Sequence, residues 1–535
     1  MEARECILQG QTALGIEFGS TRIKAVLIDQ DGKVLAKGSH RWENSFEQGV
    51  WTYHLEDIHQ GLRQCYRDLR QHVRAAYQLP LTQIGAIGIS AMMHGYMALN
   101  EDGNLLAPFQ TWRNTNTETA AQALTEYFHF NIPQRWTIAH LYQCMLDKEE
   151  HLFHLDYLTV LSSYIHWRLT GKRVVGMGDA SGIFPVDPQT LDYDETMITA
   201  FNKLLADKNY PFKNVRDILP QVLAAGTPAG TLTAEGAAFL DDSRELLSGI
   251  PFCPPEGDAA TGMVATNAVR VHTGNVSAGT STFAMLVLDK PLRRVYPEID
   301  IVATPSGHPV AMSHANNGTT DLNAWVDIFK EFTQLMGGTY DTDEIYHALY
   351  RHSLKGDADA GGLLSYGYYS GENVTHFNSG RPLLVRTADS RFNLANLFRV
   401  SLYTSLGAVK MGLDILFQQE HVKVDSLTAH GGLFKTKGVA QRYLAAAAGV
   451  PVTVMETADE GGAWGEALLA AYMLTGKERG WTLEDYLTEE IFKGAIGETL
   501  TATSAEIAGF ETFMERYRRV SCWSGQPYRP FPGNR

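Results

Sequence analysis

The sequence contains few cysteines and no close pair of them. Its 535 residues include five, at positions 6, 65, 144, 253 and 522. No two are spaced as CxxC and their number is odd, so the sequence predicts neither a zinc knuckle nor a disulfide framework. We therefore expect free thiols that pack as small core or surface residues, in a protein of the reducing cytoplasm.

Long apolar runs and an excess of basic residues are also missing. No stretch of about 18 apolar residues predicts a transmembrane helix, and the N-terminus lacks the apolar centre of a signal peptide. The formal net charge is −15, whereas a surface that binds a nucleic-acid backbone is basic. We therefore expect no nucleic-acid and no membrane partner. A small phosphate ligand, which needs only one local site, stays open.

Three common motifs of nucleotide-binding and hydrolytic enzymes do not occur. There is no Walker-A sequence GxxxxGK[ST]. The segment GIEFGS (15–20) lacks the spacing of the dinucleotide-binding GxGxxG. The segment GNVSAG (274–279) has one residue too many before its serine for the GxSxG nucleophile elbow. P-loop, Rossmann and α/β-hydrolase interpretations are therefore not favoured.

The first ninety residues alternate in the manner of an α/β protein. Apolar runs at 13–18, 24–29 and 33–40 predict three strands, and IGAIGIS (84–90) predicts a fourth, buried one. Between them, apolar residues recur at steps of three and four, which predicts one face of a long helix: Leu55, Ile58, Leu62, Cys65, Leu69 and Val73. The order β-β-β-α-β predicts a mixed sheet covered by helices.

A short segment of the chain occurs twice. GSTRIKAVLID (19–29) and GTSTFAMLVLD (279–289) each place small hydroxyl residues after a glycine, followed by an apolar strand that ends at aspartate. The copies lie about half the chain apart, which predicts two related domains that open with the same hairpin. The Pro- and Gly-rich GIPFCPPEGD (249–258) is a suitable boundary. We therefore predict domains at 1–254 and 255–535.

The two hairpin turns have a composition that suits phosphate. Backbone N–H groups of a tight turn can surround phosphate oxygens, and hydroxyl side chains add further donors. Glu17, just before the first turn, is a carboxylate that could hold Mg²⁺ directly or through water. A single such turn is more often an ordinary β-hairpin, whereas the duplicated pair favours a polyphosphate site.

These turns and further segments resemble the FGGY carbohydrate kinase family. The resemblance runs in order along nearly the whole chain. In the first half, 14–29 resembles the first phosphate motif, ISAMMHGYMALNEDGNLLAPFQTW (89–112) the sugar-binding stretch, and 157–172 with 178–187 the middle of the first domain. In the second half, PEGDAATGMVATNAV (255–269) resembles the catalytic loop, VSAGTSTFAML (276–286) the second phosphate motif, and 428–452 with 460–472 the adenosine motif. It implies an α/β fold of two duplicated ribonuclease-H-like domains, of the actin and hexokinase type, with a cleft between them. The N-terminal domain would bind the sugar and the C-terminal domain ATP.

The resemblance also implies roles for individual residues. Asp258 matches the catalytic aspartate, which would act as general base on a sugar hydroxyl. From the residues alone, a loop aspartate that caps the next helix is an equally good interpretation. Glu17 matches the metal-binding position, where the family usually has aspartate. Glutamate keeps the charge and reaches about 1 to 1.5 Å further.

The ATP and sugar sites follow in the same way. The resemblance assigns ATP to three groups of residues: Gly19, Ser20 and Thr21; Gly279, Thr280 and Ser281; and Gly431, Gly432 and Lys435. It assigns the sugar to Met93, His94 and Trp112, together with Asp258. The positions after Trp112 depart from the family, because Asn114 and Asn116 stand where it usually has Asp and Arg, and Arg113 is displaced.

The first interpretation is therefore an ATP- and Mg²⁺-dependent kinase of a small sugar, with a pentulose such as xylulose as substrate. Gluconate, ribulose or deoxyketose kinases of the same fold are alternatives. A non-kinase actin-fold ATP-binding protein is an alternative of a different class, favoured by Glu17 and the altered residues after Trp112. The resemblance also leaves a homodimer open.

Overall fold

Two mixed β-sheets, each covered by helices, form the two halves of the molecule. The computed structural model describes residues 2–377, 379–455 and 461–524. Each sheet begins with an antiparallel hairpin and continues through parallel strands on the other side of the hairpin's first strand. This shared order confirms the duplicated ribonuclease-H-like fold that the repeat predicted.

The first sheet has five strands in the order β5-β4-β1-β2-β3. Its strands are β1 (Ala13–Phe18), β2 (Arg22–Ile28), β3 (Val34–Arg41), β4 (Ala86–Ala91) and β5 (Glu256–Gly257). The three neighbouring strands from β1 to β3 are antiparallel, and β4 and β5 continue parallel to β1. The four predicted strands and the predicted helix of this region are confirmed. The observed strands begin or end within two residues of the predicted positions. The helix, Leu55–Tyr77, extends four residues beyond the last predicted apolar position, Val73.

The second sheet has seven strands in the order β8-β9-β7-β6-β10-β11-β12. Its strands are β6 (Thr273–Ala278), β7 (Thr282–Val287), β8 (Ile299–Ala303), β9 (Pro309–Ala315), β10 (Ser426–His430), β11 (Val452–Met455) and β12 (Gly497–Leu500). The β6–β7 hairpin corresponds to β1–β2, and β10 and β11 run parallel to β6 as β4 and β5 do to β1.

Helices and short two-stranded pairs surround these sheets. The α-helices are α1 (Ala3–Leu8), α2 (Leu55–Tyr77), α3 (Glu118–Phe128), α4 (Thr137–Asp147), α5 (Leu161–Thr170), α6 (Met177–Ala180), α7 (Glu195–Leu205), α8 (Ala234–Leu240), α9 (Asp258–Ala265), α10 (Thr320–Leu335), α11 (Thr342–Ser353), α12 (Leu394–Asp414), α13 (Ala440–Ala448), α14 (Gly461–Ala471), α15 (Leu483–Tyr486) and α16 (Ser504–Ser524). Two-stranded pairs join Ser45–Glu47 to Val50–Thr52, Met97–Leu99 to Tyr157–Thr159, Val174–Gly176 to Gln221–Leu223, Val186–Asp187 to Asp192–Tyr193, and Leu364–Gly367 to Pro382–Val385.

One helix from late in the chain completes the first sheet. Helix α14 packs on β1, and its Trp464 donates a hydrogen bond of 2.8 Å from Nε1 to the carbonyl of Gly32 in the β2–β3 turn. Strand β5 and helix α9 also remain with the first sheet, although they follow residue 254. The first half therefore contains segments from beyond 254, and the division at 254/255 stays a prediction.

Helix α12, extended by a turn to residue 419, is apolar enough and long enough to cross a membrane by composition alone. In the protein, 78% of its most apolar window is buried, and it packs against α11, α13 and the second sheet. Its apolar surface is therefore covered by the protein, as in the core helix of a globular domain. The thiols of Cys6, Cys65, Cys144 and Cys253 are free and buried, whereas the side chain of Cys522 lies outside the described part.

The close packing of α14 on β1 predicts a strict size limit at Gly15. A Cβ atom on Gly15 would lie 2.0 Å from the carbonyl oxygen of Ala463 and 2.5 Å from the nitrogen of Ala467. We expect Gly15→Ala to lower the free energy of unfolding by about 1 to 3 kcal/mol, because the helix must move away from the strand. Chemical denaturation measures this change.

Gly262→Ala is the matched control, since a Cβ atom on this helical glycine meets nothing within 4 Å. We expect this variant to be as stable as the wild type or slightly more stable, because alanine is the better helix former. Equal stability of Gly15→Ala and the wild type would contradict the packing described for α14.

Candidate active site

A cavity of about 380 Å³ lies between the two halves. The first half contributes β1, β2, α9 and the segment after β4, the second half contributes β7 and β9, and the start of α14 closes one side. The lining residues are Glu17, Ser20, Lys24, Met93, His94, Trp112, Arg135, Asp258, Ala259, Gly262, Ala265, Thr266, Ser281, Phe283, Met312, His314, His430, Gly461 and Gly462. Seven of the sequence-predicted site residues are among them: Glu17, Ser20, Met93, His94, Trp112, Asp258 and Ser281.

Asp258 stands at the centre of this group as the first residue of α9. Gly257 is the residue that precedes the helix as its cap, so Asp258 does not occupy the capping position. Its Oδ1 accepts a hydrogen bond of 3.0 Å from the backbone N–H of Met93. Burial raises the pKa of Asp258 to about 6, opposed by that hydrogen bond and assisted by the charge of Glu17. The carboxylate is therefore ionised at neutral pH and more basic than an exposed aspartate.

Glu17 projects into the same cavity from β1. It lies opposite Lys24 across the β1–β2 pair. Burial raises the pKa of Glu17, whereas the charge of Lys24 and a hydrogen bond from the backbone of Ala463 lower it. The start of α14 comes so close that a Cβ atom on Gly462 would lie 2.5 Å from Glu17 Oε1.

These residues fit a magnesium ion of the kind that binds with a nucleotide. Among residues 2–377, 379–455 and 461–524, no group of three or more His, Cys, Asp or Glu side chains is arranged to hold a metal ion. Mg²⁺ commonly uses one or two carboxylates and completes its coordination with phosphate and water. The Glu17 carboxylate, with Asp258 in the same cavity, therefore fits such an ion.

The three residues predicted to bind the sugar, Met93, His94 and Trp112, line the same cavity. Met93 and His94 are buried after β4, and His94 adopts a left-handed backbone conformation with φ of 71°. Burial and the charge of Arg135 lower the pKa of His94, so its imidazole is neutral. Trp112 lies over the first hairpin turn, where its Nε1 donates a long hydrogen bond of 3.4 Å to Ser20 Oγ.

The residues after Trp112, which depart from the family pattern, have a structural explanation. Asn114 is buried, and its side chain binds both the backbone N–H and the carbonyl of Trp51, at 2.9 and 2.8 Å. Arg113 lies over the Trp51 ring, 3.7 Å from its centroid. These two residues hold the short hairpin at 45–52, and Asn116 is exposed. The substitutions therefore alter the rim of the site rather than its cavity wall.

Hydrogen bonds from neighbouring segments hold both hairpin turns in place. In the first turn, the carbonyls of Gly19 and Ser20 accept hydrogen bonds from Trp42 Nε1 at 2.7 Å and Tyr53 OH at 2.6 Å. In the second turn, the carbonyl of Gly279 accepts from the backbone and hydroxyl of Thr319, both at 2.9 Å. Rigid turns of this kind present their remaining groups in one arrangement.

The other residues predicted to bind ATP lie outside the cavity: Gly19, Thr21, Gly279, Thr280, Gly431, Gly432 and Lys435. Gly431 and Gly432 are exposed at the end of β10, beside the second hairpin. A Cβ atom on Gly431, where φ is 100°, would lie 2.5 Å from the carbonyl of Ala278. Lys435 is exposed one turn further on.

Several cavity residues were not anticipated from the sequence. They are Lys24, Arg135, Phe283, Met312, His314 and His430. Phe283 and His314 are paired across β7 and β9, a strand pair that the local pattern around 309–315 did not indicate. Arg135 forms an ion pair with Asp300 of β8 and so joins the two halves.

Three carboxyl groups lie buried behind Asp258. Asp179 accepts a hydrogen bond from Ser162, and Glu256 accepts the backbone N–H groups of Gly178 and Asp179 at 3.2 and 2.9 Å. Burial and the charge of Asp179 raise the pKa of Glu256 to about 8, and burial raises that of Asp179 to about 7. Burial and the charge of Glu256 raise the pKa of Glu466 as well. At least part of this group therefore carries protons at neutral pH.

The two duplicated sheets and the cavity between them define the class, a two-domain protein of the actin-like fold. A xylulose kinase structure from Lactobacillus acidophilus superposes with a TM-score of 0.78 at 19% identity, over 97% of this chain and 99% of that one. The FGGY carbohydrate kinase N-terminal domain matches residues 12–264 and the C-terminal domain matches 274–474. The chain belongs to the FGGY family of carbohydrate kinases, whose members use ATP as phosphate donor.

Curated relatives agree with this family assignment. The chain is 22% identical to a xylulose kinase of Haemophilus influenzae over 435 residues, which are 78% of this chain and 82% of that protein. It is 21% identical to a gluconokinase of Bacillus subtilis over 375 residues, which are 68% and 69% of the two chains. The protein is therefore a carbohydrate kinase, similar at low identity to relatives with different substrates.

The buried carboxyls predict a stability that falls as the pH rises. The folded Glu256 keeps its proton up to about pH 8, whereas the unfolded chain loses it near 4.5. Between these values the folded chain holds a proton on Glu256 that the unfolded chain has lost, so this group lowers the free energy of unfolding by about 1.4 kcal/mol per pH unit. We expect Glu256→Gln to flatten this slope in denaturation curves from pH 5 to 8.

The exposed substitution Glu235→Gln is the control and should leave the slope unchanged, because Glu235 lies on the surface of α8. A slope as steep in Glu256→Gln as in the wild type would mean that Glu256 is ionised throughout this range.

Proposed function

We propose that the protein transfers the γ-phosphoryl group of Mg-ATP to a terminal hydroxyl of a small open-chain sugar, with Asp258 as general base. The observation that supports this most directly is the cavity carboxylate of Asp258, flanked by the sugar-site residues Met93 and His94 and by Glu17. A pentulose such as xylulose is the first candidate, on the resemblance of residues 89–112 to xylulokinases.

The chemistry requires only one proton transfer by the protein. The substrate hydroxyl gives its proton to the Asp258 carboxylate as its oxygen forms a bond to the γ-phosphorus, and ADP leaves with the electrons of the broken P–O bond. General-base catalysis of this kind contributes roughly 10²- to 10⁴-fold. The raised pKa of Asp258, about 6, makes the carboxylate a better proton acceptor while leaving it ionised at neutral pH.

ATP would lie along the second half and the two turns. Ser20 and Ser281 face the cavity and would donate to phosphate oxygens, together with Gly19, Thr21, Gly279 and Thr280 in the same turns. Gly431, Gly432 and Lys435 would hold the nucleoside end. Glu17 would hold Mg²⁺, which neutralises charge on the phosphates when bound.

Sugar-dependent release of ADP tests the proposed function. The purified protein is incubated with Mg-ATP and a panel of ketoses, aldonates, polyols and deoxyketoses. ADP release that depends on one class of sugar would support a kinase. ADP release without sugar, or none despite measured ATP binding, would contradict the proposed reaction. A cytoplasmic location and a homodimer stay predictions.

Asp258→Asn tests the general base. We expect kcat to fall by roughly 10²-fold or more, because the amide cannot accept the proton, while ATP affinity measured by calorimetry changes little. Asp194→Asn is a matched control, since Asp194 caps α7 away from the cavity and asparagine caps equally well. Near-normal turnover in Asp258→Asn would exclude this residue as the base.

The pH profile gives an independent measurement of the same group. A base with a pKa of about 6 must lose its proton to act, so kcat/KM should fall as the pH drops through 6. An acid limb near pH 4, the range of an exposed aspartate, would contradict the environment described for Asp258.

Glu17→Ala tests the metal site. We expect the Mg²⁺ concentration for half-maximal activity to rise about tenfold or more, because one carboxylate ligand is lost. Glu17→Asp keeps the charge and is the control, with a requirement close to that of the wild type. An unchanged Mg²⁺ requirement in Glu17→Ala would remove Glu17 from the metal site.

A further inference from the structure

The cavity that contains Asp258, here called the sugar cavity, adjoins a larger space of about 870 Å³, here called the outer space. Trp112, Arg135 and His314 line both. Arg135 therefore stands in the wall where the sugar cavity ends and the outer space begins. The proposed phosphoryl transfer gives Arg135 no role.

Arg135 is connected to the catalytic aspartate through one short segment. Met93 N–H binds Asp258, and two residues later Gly95 N–H binds the carbonyl of Arg135 at 3.4 Å. Both side chains line the same cavity. A linear substrate with its terminal hydroxyl at Asp258 would therefore have Arg135 available in the same cavity for a contact further along its chain.

The guanidinium is held in position and retains free donors. It forms an ion pair with Asp300, which is 5% exposed. The Asp300 carboxylate also accepts a hydrogen bond of 3.2 Å from Asn131 Nδ2. Within the part of the chain that the structure describes, Asp300 is the one side chain that hydrogen-bonds the guanidinium. Since a guanidinium carries five N–H donors, others remain for a ligand.

The surroundings make Arg135 the permanent cation at this end of the cavity. Burial and the charge of Arg135 lower the pKa of His314 to about 3 and also lower that of His94, so both rings are neutral. The acids that line the same cavity are Glu17, which lies opposite Lys24 on the β1–β2 pair, and Asp258 at the start of α9. The cavity wall therefore carries a pre-positioned cation beside two neutral rings, and a base on a different element, α9.

We propose that Arg135, fixed by Asp300, is the specificity-determining residue of this kinase, and that it binds the carboxylate of a polyhydroxy acid. This inference rests on the proposed function and places an aldonate ahead of a pentulose as substrate. A fixed guanidinium binds a carboxylate through charge-assisted hydrogen bonds, which a neutral ketose cannot match. Asp300 acts on the substrate only through Arg135 and is a positioning residue.

The experiment compares D-gluconate and D-xylulose as substrates in three proteins. These are the wild type, the double variant Arg135→Gln/Asp300→Asn, and Arg113→Gln. The double variant removes both charges of the ion pair, which avoids leaving Asp300 buried and unpaired. Arg113 is the matched control, because it lines the outer space but not the sugar cavity.

We expect the wild type to prefer gluconate in kcat/KM. In the double variant, kcat/KM for gluconate should fall roughly 10- to 100-fold, mainly through KM, while that for xylulose changes only slightly. Arg113→Gln should retain the wild-type preference. Thermal unfolding of each protein verifies that the variants are folded.

Two results would overturn the inference while leaving the proposed function intact. One is turnover of xylulose without turnover of gluconate in the wild type. The other is an equal loss for both substrates in a folded double variant, which would make the ion pair a structural link between the halves. If no sugar in the panel releases ADP from any of the proteins, the proposed function itself fails.

Discussion

The arrangement of the active site depends on the contact between strand β1 and helix α14. Gly15 has no side chain, so the backbone of α14 can lie directly against the strand. The same helix packs closely on α9, where a Cβ atom on Gly465 would lie 2.1 Å from the carbonyl of Thr261. Because α9 begins with Asp258 and β1 carries Glu17, one helix determines how far apart these two carboxylates stand. Small residues at the contact surface are therefore a requirement of the site as well as of the core.

Much of the fold could be predicted because its signals are local. The strands at the start of the chain, the long helix with its apolar face, and the repeated hairpin are each encoded within about twenty residues. Periodicity and turn residues indicate such elements directly. The resemblance then supplied the order of the motifs. The structure brings Glu17, Met93, His94 and Asp258 together in one cavity, although they come from three separate segments.

The remaining features could not be predicted because they depend on distant contacts. Arg135 looks like an ordinary surface residue before a helix until Asp300, 165 positions later, is placed beside it. His314 depends on the pairing of β9 with β7, and α14 joins a sheet whose first four strands lie more than 350 residues earlier. The residues after Trp112 show the opposite case. Their departure from the family pattern was evident in the sequence, but its meaning, support of a short hairpin through Trp51, required the fold.

The late position of α14 has a consequence for the synthesis of the protein. Strand β4 ends at residue 91, but the helix that covers β1 ends at residue 471. At ribosomal rates of about 5 to 20 residues per second, roughly 20 to 75 s separate the two. During this interval the apolar face of β1 that α14 will cover has no permanent partner. The nascent chain is therefore exposed to aggregation for most of its translation, and its N-terminal half has the properties of a client for chaperones that bind nascent chains.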